Sequence, residues 1–286
     1  MRPVLATSVC VAHDGASLLA RWQALAAERV DALALDARLP LEGCRAVLQA
    51  LRGSRIACVE IPYRPRASGP SPLSADRHER RAAQEELLQT LVVAAEHGVA
   101  RVVLHPASLP LPTGTDLLRE RFARGSSLDL EALLEERAVV ARAACDHLCM
   151  VLDGVLRAAE SAGTTLAFLT PSPWPQQSPN ASEVERLRAV FGGGRHGVVF
   201  ATDRAHVARL LDSHDSGDIG EACAVRLADA CGLRGQLPLD SGEADWRAGL
   251  AQVRAPSADL VVTISPAARP AEVEHSLELC AEACAG

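Results

Sequence analysis

The side chains best suited to move a proton in this sequence are His105 and Glu60. His105, just before Pro106, closes an apolar run, and an imidazole there exchanges protons near neutral pH. The alternative is an imidazole satisfied inside a core. Glu60, just ahead of Ile61-Pro62-Tyr63, closes another apolar run, so its carboxylate must be paired or protonated. It is either a site residue or the ion-pair partner of Arg64 or Arg66. Asp36 ends a third run beside Arg38, where a salt bridge or a solvated loop explains it. Tyr63 is the only phenol in the chain; Trp174 either covers a ligand or shields a loop, and His13 follows the first apolar run.

Several chemistries are excluded by what is missing. All 29 basic residues are arginine, so there is no ε-amine for a Schiff base, for pyridoxal phosphate or for a P-loop. No G-x-S-x-G elbow occurs. The 9 cysteines are an odd number scattered over a long chain, which suits core packing better than a disulfide framework. Cys145/Cys149 and Cys280/Cys284 each share a helix face, but no C-x-x-C accompanies them. Gly192-Gly193-Gly194 follows a helical run and precedes an apolar one, the reverse of a phosphate loop. A net charge of −7 and few aromatic residues provide neither a basic footprint nor a stacking platform, so nucleic acid is not an expected partner. The apolar start of the chain is too short and interrupted for a signal peptide, and no stretch is long enough to span a membrane. The expectation is a cytoplasmic protein that takes a small molecule; self-association into a homo-oligomer is compatible with the sequence.

The elements that must position these residues can be read from short apolar runs, each followed by a segment of helical period. Candidate strands are Val4–Cys10, Ala32–Asp36, Arg55–Glu60, Arg101–His105, Thr165–Leu169, Gly197–Ala201, Ala224–Ala228 and Leu260–Ile264. They are apolar throughout, as parallel strands covered on both faces must be. Between them lie helical stretches Ala16–Arg29, Leu41–Arg52, Asp76–His97, Leu130–Ala162, Ser182–Val190 and Ala271–Ala283, with Ser182 as an N-cap and Gly53, Gly98 and Gly163 as left-handed stops. The alternation predicts one α/β domain over 1–286, a single (β/α)8 TIM barrel, with a doubly wound open sheet as the alternative. In a barrel, the breaks Tyr63–Ser74, Ala107–Ser127 and Pro171–Ala181 lie at the carboxyl-terminal rim, where active sites form.

Gly98-Val-Ala-Arg-Val-Val-Leu-His105-Pro106, Val225-Arg-Leu-Ala-Asp229-Ala-Cys-Gly232 and the segment from Gln236 to Trp246 together resemble the xylose isomerase-like TIM barrels, the superfamily of sugar isomerases, epimerases and apurinic endonucleases. The resemblance implies a divalent cation at the rim, held by Glu, Asp and His from strands five to eight. Here those positions fall on Leu169 or its neighbour, on Ala201 and Arg204, on Ala228 and on Thr263–Pro266, while Asp229 survives. The expectation is therefore a degenerate metal site and no cofactor. His105, Asp203, His206 and Asp229 would make at most a weak residual one. The resemblance also suggests that Arg204 and Arg226 stand where the cation's charge would be, binding a carboxylate or phosphate beside Asp229. The alternative is that Arg226 pairs with Asp229 or another carboxylate. The implied function is isomerase- or epimerase-like, on a small polar, anionic carbonyl or sugar compound without a metal. His105, Glu60 and Asp229 would be the catalytic residues, and Arg204, Arg226, Tyr63 and Trp174 would bind substrate. A non-catalytic barrel serving as a binding or scaffold subunit is the other outcome.

Overall fold

The computed structural model describes all residues except 11–14, 27–28, 66–68, 112–119, 122–123, 126–129, 173, 193–195, 212–221, 254–256 and 286, and only the backbone at 15, 130, 131 and 181. His13 and Arg66 lie outside the described residues. Eight parallel strands close into a barrel: β1 (Arg2–Ala6), β2 (Ala32–Ala34), β3 (Ala57–Tyr63), β4 (Arg101–Leu104), β5 (Thr165–Thr170), β6 (Gly197–Ala201), β7 (Ala224–Leu227) and β8 (Asp259–Val262). Spatial order follows chain order, and β8 pairs with β1, which closes the sheet and excludes the open alternative. Around it run α1 (Gly15–Ala26), α2 (Leu41–Ala50), α3 (Arg77–Glu96), α4 (Leu130–Ala162), α5 (Ala181–Phe191), α6 (Thr202–Leu210), α7 (Trp246–Ala251) and α8 (Pro270–Ala285).

The uniform apolarity of the strands follows from this closure. Leu5, Leu33, Ile61, Phe168, Phe200 and Val262 point outward and pack under the helices. Val4, Ala34, Val103, Leu169, Ala201 and Val261 point inward and form a separate cluster in the lumen. Many of the inward residues are alanines, too small to fill the barrel alone.

Local signals hold with shifts. Gly53, Gly98 and Gly163 end helices in the left-handed region, at φ 77°, 64° and 66°. The expected cap Ser182 is displaced by Asn180, whose side chain accepts from the Glu183 amide at 3.0 Å while Glu183 accepts from the Asn180 amide at 2.9 Å, a capping box. β1 stops at Ala6 because Thr7–Val9 coil into a 3₁₀ turn. β3 runs past Glu60 to Tyr63, which moves Glu60 from a strand end into the strand. All 9 cysteines are unpaired. No helix among the described residues is long and apolar enough to cross a membrane.

Candidate functional site

The lumen is built around charge. Glu60 is fully buried, facing the register position of Arg101 on β4. Arg101 Nε donates to Glu60 Oε2 at 3.2 Å and its Nη2 donates to Asp259 Oδ2 at 2.7 Å. Arg2 Nε completes the column at Asp259 Oδ1, 3.0 Å away. On its other oxygen Glu60 accepts a short hydrogen bond from Arg226 Nη2. The expected partners Arg64 and Arg66 are thus replaced by Arg101 and Arg226. Of the two outcomes for Arg226, pairing with another carboxylate is realised, and the carboxylate is Glu60. Arg101 was legible only through strand parity: it and Val103 alternate inward on β4, next to Glu60.

Above this column, at the carboxyl-terminal rim, buried polar atoms lack partners: Arg226 Nε, Arg204 Nη1, His105 Nε2 and Ser8 Oγ. They come from four places, the segments after β1 and β4, the first turn of α6, and β7 itself. His105 lies close enough to Arg226, Arg204 and Arg64 for their charges to act on it. Burial first, and then those three cations, push its pKa well below the usual imidazole value, so it is neutral at pH 7. Arg204 is lowered to about 10, mainly by burial, with Arg226 and Arg64 adding to the effect and Asp203 opposing it. It remains a cation at neutral pH. It also sits in the first turn of α6, where the helix dipole disfavours positive charge.

The other expected site residues are held elsewhere. Asp229 is 1% exposed and accepts three backbone amides: Ala230 and Ala244 on Oδ1 at 2.7 and 2.9 Å, and Gly242 on Oδ2 at 2.7 Å. It clamps the loop after β7. A Cβ on Gly242 would meet Ala230 O at 2.5 Å, so the close approach requires glycine. Tyr63 points into the outer core and donates its hydroxyl to Ala83 O at 3.2 Å. Trp174 packs with Leu133, Val207 and Leu211 between α4 and α6. Asp36 takes Arg38 Nε at 2.5 Å, the expected salt bridge. Asp203 accepts from the Gln236 amide at 3.1 Å; burial raises its pKa, against the pull of Arg204 and Arg226. His206 lies 3.9 Å from Glu243. Burial pushes the Cys10 thiol up to about 11 and Cys58 to about 12, which removes them as nucleophiles.

A closed barrel of eight parallel strands ringed by helices is the (β/α)8 TIM-barrel fold. No family model matches the chain, and no curated protein matches it in sequence. Solved structures do. An L-ribulose 3-epimerase superposes with TM-score 0.69 at 14% identity, covering 99% of this chain and 94% of its own. A D-tagatose 3-epimerase-like protein gives TM-score 0.68 at 14% identity, covering 99% and 96%. IolI, whose structure has a binding zinc atom, gives 0.67 at 12% identity, covering 100% and 98%. At such identities the likeness is one of fold.

The described residues of the rim do not make the ligand set that a divalent cation needs. β5 and β6 turn Leu169 and Ala201 inward, and Arg204 and Arg226 bring guanidinium charge that repels a cation. Among the described residues no group of three or more His, Cys, Asp and Glu side chains could hold a metal ion.

Proposed function

We propose that the chain is a sugar isomerase- or epimerase-like barrel that binds a small anionic carbonyl or sugar compound at a degenerate, metal-free rim. The observation that carries this is the set of buried, partnerless atoms on Arg226, Arg204 and His105. Guanidinium donors left without a partner in a low-dielectric site bind a carboxylate or phosphate oxygen well. If the bound compound carries a carbonyl, His105 Nε2 removes the proton from the adjacent carbon, and the C–H electron pair moves onto the carbonyl oxygen. The guanidinium groups stabilise the resulting enolate. Return of the proton to the same carbon on the other face gives an epimer; where that carbon carries a hydroxyl, passage of the hydroxyl proton to the enolate oxygen and return of the abstracted proton to the neighbouring carbon gives an isomer. The bound anion reverses the local field of the arginines, so the His105 pKa rises once ligand is present and the imidazole becomes a better base.

A binding or scaffold role without turnover is favoured by a specific observation: Glu60 and Asp229 are both fully engaged, so neither is a free carboxylate base. Incubation with anionic keto sugars in D₂O, followed by proton NMR, separates the two. Deuterium incorporation next to the carbonyl, lost in His105→Gln, is expected for catalysis. Binding without exchange assigns the scaffold role, and the absence of both rejects the proposal.

A further inference from the structure

Two pairs of cysteines with four-residue spacing take no part at the rim. Cys280 and Cys284 lie in the last turns of α8, and Cys145 and Cys149 lie on α4. Side chains four apart on a helix are neighbours on one face. In each pair one thiol is sealed in the core and the other reaches toward the surface: Cys280 and Cys145 are buried, Cys284 and Cys149 half-buried.

The pairs differ in how their protons are held. Cys280 Sγ lies 3.7 Å from Leu260 O, near the amino-terminal end of β8, and also donates to Cys284. That hydrogen bond stabilises the Cys284 thiolate and pulls its pKa below the usual thiol value, while Cys280 holds its own proton more tightly. On α4 burial raises both thiols, so neither is ready to ionise. Cys280 and Cys284 thus form a thiol–thiolate couple, one sulfur reachable at the helix end and the other fixed beneath it.

Length decides what such a couple can hold. β-Carbons four residues apart on a helix are about 5–6 Å apart, whereas a disulfide needs about 3.5–4.5 Å. Closing an S–S bond would distort the last turn. A bridging metal ion adds two bonds of about 2.3 Å each, so the sulfurs stay up to about 4.6 Å apart and the helix is kept. Zinc asks for four ligands, and among the described residues no third His, Cys, Asp or Glu joins the pair to make such a site. A soft monovalent d10 ion is satisfied by two thiolates alone.

We infer that Cys280 and Cys284 form a two-coordinate site for a soft monovalent cation of the Cu(I) class, set between α8 and β8 at the opposite end of the barrel from the rim. It is independent of the function proposed for the rim. On binding, two S–metal bonds form, the Cys280 proton and any left on Cys284 pass to solvent, and no electron is transferred. Anaerobic titration of the reduced full-length protein at pH 7.5 with Cu(I) held as its bicinchoninate complex tests the site. One ion per chain is expected to be withdrawn from the chelator. Cys284→Ser is expected to weaken the withdrawal at least about tenfold, while Cys149→Ser and Cys231→Ser, which remove the matching thiol on α4 and an exposed thiol, leave it unchanged. X-ray absorption of the wild-type complex at one equivalent is expected to show two sulfur neighbours. No withdrawal, withdrawal that Cys284→Ser leaves intact, or a metal with three or more protein neighbours would each overturn the inference.

Discussion

Arg204 is a cation held where burial disfavours its charge. A guanidinium whose pKa falls from 12.5 to about 10 on folding carries a native-state cost of about 3 kcal/mol at neutral pH, one pH unit being about 1.4 kcal/mol. Arg204→Met keeps the bulk of the side chain and removes the charge. The expected result is a higher melting temperature together with lost anion binding, measured by thermal unfolding beside ligand titration. A lower melting temperature would show that Arg204 is a structural ion pair. At this scale the sequence was partly legible. His105 and Arg204 could be singled out from their positions near predicted strand ends, and both reach the rim. Asp229 and Tyr63 looked equally suitable but are used elsewhere: Asp229 lies past the end of β7 and is taken up by the amides of the following loop, and strand parity turns Tyr63 outward into the core under the helices.

Among the elements, the strands are tied to one another by the polar column as well as by their ladders. Glu60 on β3 is held by β4 through Arg101 and by β7 through Arg226, and Arg101 continues to β8 through Asp259. Removing one member leaves the others buried and uncompensated, so Glu60→Gln is expected to lower unfolding free energy by about 3–5 kcal/mol, read from denaturant midpoints. Adding Arg101→Met should return part of that loss, since it deletes one orphaned charge; a double variant weaker than Glu60→Gln alone would count against the column. The strand and helix runs themselves were legible, β6 and α4 to the residue, because apolar runs and helical stripes are local properties. The column was not, since its bonded members are separated by 41 to 257 positions along the chain and only barrel closure brings them together. α6 and α7 escaped notice because, at 9 and 6 residues, they are too short to develop a clear period.

For the molecule as a whole, buried neutral imidazoles set an acid limit. His196, edge-on to Phe168 at a centroid distance of 5.1 Å, is lowered to about 4, chiefly by burial and secondarily by Arg188, and His105 is lowered well below 6.5. Above pH 6.5 neither the folded nor the unfolded state binds these protons. Below it the unfolded chain takes protons that the fold refuses, so stability falls as pH falls, by about 1.4 kcal/mol per unit per histidine until the folded pKa is reached. Asp203, raised by burial, acts with the opposite sign toward the acid end. Melting temperatures are expected to drop steadily from pH 7 to pH 5, and the drop to be shallower in His196→Phe; a flat profile would show that the imidazoles are solvated.

The alanines lining the barrel, Ala34, Ala167, Ala201 and Ala224 among them, leave room that the arginine side chains occupy. The polar axis is therefore also the filling of the tube. Deleting it charge by charge strands a counter-ion at each step, and deleting it all at once leaves a hollow. A lineage could exchange this interior for an ordinary greasy one only by enlarging several alanines in the same move, which makes the ionic plug hard to lose.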